Sequence, residues 1–197
     1  MTQRQEAGLL TSLPRHTNRL RLRLFDERDA DGLYELHRDN LLTRYAGGSR
    51  TRAESIDALQ RMIRRTHTDG FGPLAVEELG TGELIGWCGV QNLRGTADYE
   101  VIYALKPNRW GVGFATEAAA ALIADVAKLD NPKIDEIWGI VFPQNLRSIN
   151  VLRKLGMHFA EYRFDNVTQR YASAYLLTRH DFITAISLDE RYSSRKK

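Results

Sequence analysis

Apolar and polar residues alternate strictly through Arg19-Leu20-Arg21-Leu22-Arg23-Leu24-Phe25, the period-two mark of a half-buried strand. The acids between Asp26 and Asp31 then offer caps for a short amphipathic helix carrying Leu33, Tyr34 and Leu36. A clearer helix spans Thr51 to His67. Thr51-Arg52-Ala53-Glu54 reads as a capping box, Ile56, Leu59, Met62 and Ile63 share one face, and Asp69-Gly70 stops it. Three strand candidates follow: Pro73 to Glu78, Glu83 to Leu93 and Tyr99 to Leu105, joined by Gly80-Thr81-Gly82 and by a turn containing Gly95. That is an antiparallel meander, and Pro107 ends it because proline has no N–H for the ladder. Ala115 to Lys128 is alanine-rich, with Ala118, Ala119, Leu122, Ile123 and Val126 at helical spacing. Ile134 to Phe142 is again a strand, so strand, helix and strand form one parallel crossover. After the turn Pro143-Gln144-Asn145, a short helix from Ser148 to Leu155 is closed by Gly156, and Tyr162 to Phe164 can pair with Tyr171 to Leu177. The pattern predicts one mixed α/β domain over residues 17–186, with a loose leader at 1–16 and a loose tail at 187–197.

Composition narrows the function without naming it. The chain has 197 residues, 43% hydrophobic and 27% charged, ordinary for a soluble globular domain. The net charge of +3 leaves basic and acidic residues nearly balanced. Arg61, Arg64 and Arg65 read as a solvated helix face, so nucleic-acid binding is permitted but not indicated. A polyphosphorylated ligand would be served by the same modest excess. Cys88 is the only cysteine, which excludes an intrachain disulfide framework and a cysteine-rich zinc site. It sits in an apolar run, where a buried structural thiol is expected more often than a nucleophile. His37, His67 and His180 lack metal-ligand spacing. Met1 to Pro14 has no signal-peptide core, and no apolar run approaches the roughly 20 residues of a membrane span. Cytoplasm is the default.

The most informative segment is Trp110-Gly111-Val112-Gly113-Phe114-Ala115-Thr116, between a strand and a helix. Unpaired N–H groups and the helix dipole favour an anion there, and Gly111 and Gly113 let a ligand approach the backbone. Two glycines alone are better explained as a tight turn with glycines for geometry. A dinucleotide fingerprint wants a third glycine where Thr116 stands, and the Gly-Lys-Ser/Thr ending of a Walker loop is absent.

The segment resembles the coenzyme A pyrophosphate loop of GNAT acetyltransferases, Gln/Arg-x-x-Gly-x-Gly/Ala. Gly113 and Ala115 take the last two positions, and Trp110 stands where Gln or Arg is usual. The form is similar to the ribosomal-protein N-acetyltransferase (RimJ/RimL-like) branch. Thr17-Asn18-Arg19-Leu20-Arg21-Leu22-Arg23, Tyr99-Glu100-Val101-Ile102-Tyr103, Asn145-Leu146-Arg147-Ser148 and Lys154-Leu155-Gly156-Met157 resemble further segments of that branch, in order. The resemblance implies a GNAT-like single domain: a mixed, mostly antiparallel central sheet with one parallel strand pair splayed around the cofactor and helices on both faces. It implies acetyl-CoA as cosubstrate, with the pantetheine arm against backbone groups of Tyr103, Ala104 and Leu105.

A primary amine would be acetylated by direct attack in a ternary complex, the acceptor being a protein N-terminus or a small-molecule amine. Glu100 is the candidate base, its pKa raised by burial; an outward-facing strand glutamate fits the residues equally well. Asn145 caps the following helix and, by the resemblance, contacts pantetheine. Ser148 is either a local cap or a group that hydrogen-bonds the cofactor or assists the leaving thiolate. The family often places a tyrosine acid seven residues beyond the asparagine, and here that residue is Leu152. Arg44, Tyr45, Phe71 and Trp87 are candidates for the acceptor pocket, and a homodimer is common in the family. A coenzyme A sensor without turnover is the alternative that the missing tyrosine keeps open.

Overall fold

The computed structural model describes residues 13–93, 96–129, 134–165 and 168–193. Its centre is an eight-stranded sheet in the order β1-β2-β3-β4-β5-β6-β8-β7. The strands are β1 (Arg15–His16), β2 (Leu20–Arg23), β3 (Gly72–Glu78), β4 (Glu83–Asn92), β5 (Tyr99–Leu105), β6 (Glu136–Val141), β7 (His158–Asp165) and β8 (Arg170–Thr178). Every neighbouring pair is antiparallel except β5 and β6. Alternation does what it promises in β2, where Leu20 and Leu22 are fully buried and Arg21 and Arg23 reach to Glu77.

Helices cover both faces, as the mixed α/β reading requires. On one side lie α1 (Ala30–His37), the short α2 (Asn40–Thr43) and α3 (Arg52–Asp69). They enclose a core of Phe25, Leu33, Leu36, Leu42, Leu59, Ala75 and Trp87. The capping box at the start of α3 forms as expected, and Gly70 ends the helix in the left-handed region at φ 72°. On the other side lie α4 (Phe114–Ala127), α5 (Leu146–Lys154) and α6 (Phe182–Ser193). Here α4 is buried almost all round, between the sheet on one side and α6 on the other. Its run of four alanines lets neighbours approach on every face, so a helix with a weak apolar stripe becomes the spine of the larger core.

Three sequence expectations need correction. The leader was expected to be loose through residue 16, but Arg15–His16 pairs with Arg21 and Leu22 as β1. Arg15 also ion-pairs with Asp125 of α4 and Asp189 of α6, so the sheet and the salt bridges hold it. The tail was expected to be loose from residue 187, but α6 continues to Ser193, with Asp189 buried. Two residues are too few for alternation to register, and α6 is amphipathic only once its partner α4 is known. Finally, β7 is more than twice as long as Tyr162 to Phe164, running from His158 to Asp165. The turn expected at Gly95, the leader up to residue 12 and the tail from 194 lie outside the described residues. Among the described residues no helix is long and apolar enough to cross a membrane.

Candidate active site

The parallel pair β5 and β6 is held together only at Tyr99↔Ile137 and Glu100↔Trp138. Beyond that point the strands diverge. β5 keeps its pairing with β4 up to Leu105, and β6 keeps its pairing with β8 up to Val141. Between the diverging ends opens a cleft of about 970 Å³ lined by Glu100 to Leu105, by Gly139 to Phe142, by Asn145 to Ser148 and by the turn before α4. Lys106 N donates to Ile85 O at 2.8 Å, and by antiparallel alternation the backbone groups of Leu105 and Tyr103 turn away from β4, toward the gap.

The glycine turn sits at the mouth of α4. Gly111 (φ 80°) and Gly113 (φ 90°) both adopt the left-handed region, which explains glycine at these two positions. Gly113 is the cap residue and offers no side-chain acceptor. The first helical bond of the turn runs from Glu117 N to Gly113 O (3.0 Å), so the N–H groups of Phe114, Ala115 and Thr116 precede the ladder. A helix of 14 residues adds its dipole to this bare end. Trp110 closes the turn from the strand side, its indole Nε1 donating to Leu105 O at 2.6 Å, and the Arg147 guanidinium lies 5.1 Å from the ring centre. Val112 is exposed, while Phe114 and Thr116 are buried.

Two residues that sequence reasoning missed hold this turn in shape. Glu117, in the first turn of α4, is fully buried. Its carboxylate accepts from Thr17 Oγ1 (2.6 Å), Arg19 N (3.0 Å) and Arg19 Nε (2.7 Å). The same guanidinium donates to Val112 O (2.9 Å) and lies 4.5 Å over the Phe114 ring. Arg19 thus neutralises an acid that would otherwise repel an anion at the helix mouth, and fastens the loop at the same time. The arginine of the Thr-Asn-Arg opening and an acid one turn into the helix were visible in the sequence, but their contact joins positions 98 residues apart.

Glu100 lies on the cleft wall, half-buried, opposite Gln91, whose Nε2 donates to Glu100 Oε1 at 2.8 Å. Its side of the sheet is the α1–α3 face, shared with Ile102 and Ala104. Tyr103 points to the opposite face, where its phenol meets Ser148: Oη is 2.8 Å from Ser148 Oγ and 3.1 Å from Ser148 O. Burial pushes the Tyr103 phenol well above its ordinary range, partly opposed by the Ser148 contact. Asn145 caps α5, its Oδ1 accepting from Ser148 N at 3.2 Å. Leu152 is buried and packs against Gly139 of β6. Cys88 is fully buried and its thiol is pushed up to about 12 by that burial, so it stays protonated and structural. The cleft is roofed where Tyr45 approaches Phe142 (ring centres 6.1 Å apart), and Arg44, Tyr45 and Trp87 line it. Phe71 instead belongs to the core and packs on Tyr99, which removes it from the acceptor-pocket candidates.

The comparisons with known proteins agree with this geometry. The family model described as "Acetyltransferase (GNAT) domain" matches residues 19–158. The uncharacterized N-acetyltransferase p20 of Bacillus licheniformis is 33% identical over 147 residues, covering 71% of this chain and 79% of that protein. Among solved structures, a GNAT-family acetyltransferase from Bacillus anthracis superposes with a TM-score of 0.72 at 21% identity, over 84% of this chain and 98% of that one. RimJ of Mycobacterium smegmatis, solved in complex with CoA-disulfide, gives a TM-score of 0.65 at 16% identity, over 88% and 96%. A sheet opened at one parallel pair above a bare helix mouth, together with a family match over most of its length, places the chain in the GNAT acetyltransferase family.

Proposed function

We propose that the protein transfers the acetyl group of acetyl-CoA to a primary amine, by direct attack of the amine on the thioester while both substrates are bound. The observation that carries this reading is the single break in the sheet. β5 and β6 share two residue pairs and then separate, directly beside the unladdered N–H groups of Phe114, Ala115 and Thr116. The helix mouth suits the diphosphate, since each charge-assisted hydrogen bond contributes about 1.5–3 kcal/mol. The loop Trp110, Gly111, Val112, Gly113, Phe114, Ala115 and Thr116 is the cofactor-binding segment in this reading. The edge of β5 at Tyr103 and Leu105, whose backbone groups face the gap, suits the amide groups of a pantetheine arm, which adds to it as a further strand would, while Ala104 between them turns its backbone groups to β4. Asn145 holds the start of α5 beside that arm.

Glu100 is the base. Its carboxylate lies at the point where the strands part, on the face opposite α4, and Gln91 fixes one of its oxygens. An ammonium entering from the α1–α3 side meets that carboxylate before it meets the thioester, and loses its proton there directly or through water. A protein N-terminus is the favoured acceptor, on the strength of the RimJ/RimL-like motifs at residues 17–23 and 145–157. A small-molecule amine is the other acceptor class that the open cleft admits.

Release of CoA thiol from acetyl-CoA, measured over a panel of amines and N-terminal peptides, tests the reading. Turnover on at least one amine is expected, with kcat/KM falling by about 10²–10⁴ in Glu100→Gln. Saturable CoA binding with no turnover on any amine would favour a CoA sensor and overturn the enzyme reading.

A further inference from the structure

Hydroxyl groups are scarce on the walls of the cleft. β6 and α5 together carry one, Ser148, and the position one turn further along α5 is the buried Leu152. Tyr45 and Thr116 bring hydroxyls to other parts of the wall, and the partner of Ser148 comes from across the gap. Tyr103 reaches from β5 to α5 and places Oη 2.8 Å from Ser148 Oγ, joining residues 45 apart in sequence. Both residues line the cleft. No other side chain of β5 crosses to α5 with a polar end, since its remaining residues on that face, Tyr99, Val101 and Leu105, pack into the core.

We propose that Tyr103 is a positioning residue that orients the Ser148 hydroxyl toward the leaving sulfur, an inference that rests on the acetyl-transfer reading of the cleft. Two proton arrangements are open to the pair. In one, Ser148 donates to the phenol and the phenol to Ser148 O. In the other, the phenol donates to Ser148 Oγ, and the serine proton is free to leave the pair. Ser148 O already serves as the helical acceptor for the residue four further on, so the phenol has the less committed partner in Oγ. A developing thiolate selects the second arrangement, because a charge-assisted hydrogen bond is stronger than a neutral one.

In the transfer step the amine lone pair forms the C–N bond as the C–S bond breaks and its electron pair passes to sulfur. Ser148 Oγ–H donates a hydrogen bond to that sulfur, and Tyr103 Oη–H donates to Oγ. The amine proton goes to Glu100 or water, and no proton is removed from Tyr103. A phenol buried so that its anion is disfavoured suits this role, since it stays a donor throughout the working pH range.

The ultraviolet absorbance of the CoA thiolate, followed across the neutral and alkaline range with CoA bound to the protein, tests the inference without turnover. The wild-type protein is expected to lower the pKa of the bound thiol. Tyr103→Phe and Ser148→Ala are each expected to weaken that effect by about 10- to 100-fold in the acid dissociation constant. In the steady state the same variants lose kcat by a similar factor with KM for acetyl-CoA unchanged. The double variant is no worse than Ser148→Ala, because Tyr103 acts through Ser148. A thiolate titration unmoved by Ser148→Ala would overturn the proposal whether or not Tyr103→Phe folds, as would a double variant in which the two losses multiply. Failure of the wild-type protein to bind CoA would instead sink the reading of function on which this one stands.

Discussion

His37 shows how one side chain sets a pH dependence for the whole fold. It is buried at the end of α1, with Nδ1 3.1 Å from Ser55 Oγ and its ring edge-on to Trp87, 5.4 Å between centres. Burial, with a smaller contribution from the Arg50 charge, lowers its pKa from 6.5 to about 4. The native state therefore refuses a proton that the unfolded chain accepts. Stability from this site is complete above pH 6.5, and is lost as pH falls through the window between 6.5 and about 4. The total amounts to about 3 kcal/mol. Melting temperature is expected to decline already between roughly pH 6.5 and 5, before most carboxylates titrate. His37→Gln, which takes up no proton, should flatten that part of the curve even if it lowers the plateau. A wild-type profile that stays flat down to pH 5 would show that His37 protonates in place. Because His37 touches Trp87, a wall of the cleft, the same substitution also probes how firmly that wall is held.

The critical element is the second half of β5. Past Glu100 it has lost β6 as a neighbour, so within the sheet it is paired with β4 alone. There Gly86 faces Leu105, and a Cβ at Gly86 would fall 2.1 Å from Ala104 O and 2.8 Å from Leu105 Cα. Backbone cannot give way as a flexible side chain can. Gly86→Ala is therefore expected to push the end of β5 into the cleft, at a cost of about 1–3 kcal/mol. Calorimetric titration with CoA should show a clear loss of affinity in protein that is still folded. Unchanged affinity would mean that the β5 edge is not where the ligand lies. The strand itself was legible in the sequence, as were β2, β3, β4, β6, α3 and α4, because each carries its own apolar period. The glycine turn was legible for the same reason: its chemistry lies within seven consecutive residues. The departures came where a feature depends on something distant. β1 is two residues long and exists only because β2 lies beside it. Arg19 with Glu117 and Tyr103 with Ser148 are pairs that no local window contains, so the sequence offered the loop without its fastening and Ser148 without the phenol beside it.

At the scale of the molecule, both ends of the described chain converge on the helix that carries the glycine turn. Arg15 of β1 bonds Asp125 near the end of α4 (3.0 Å) and Asp189 of α6 (2.5 Å), so one guanidinium links the sheet edge to two helices. Three residues on, Asn18 N donates to Tyr192 O (2.9 Å), and the Tyr192 ring lies 5.9 Å from the Arg19 guanidinium. Arg19 is in turn the residue that neutralises Glu117 and holds Val112. The last turns of α6 are thus coupled to the loop through Arg19 and through Tyr192 Oη, which lies 3.6 Å from where a Cβ on Gly113 would stand, although none of their residues lines the cleft. Removal of residues 187–197 is expected to leave a folded sheet, because α6 contributes Phe182 and Ala185 to the core before that point. It should nonetheless cost roughly 2–4 kcal/mol, from the lost Asp189 acceptor and the partly buried Leu188. CoA affinity should weaken beyond what the stability loss explains, since Arg19 loses the ring that confines it and the turn at Gly111 to Gly113 gains freedom. Thermal melting and CoA titration on the shortened protein separate the two effects. A truncated form that melts lower but binds CoA with full affinity would confine α6 to a purely structural part, and leave the Arg19–Glu117 pair as sufficient support for the loop.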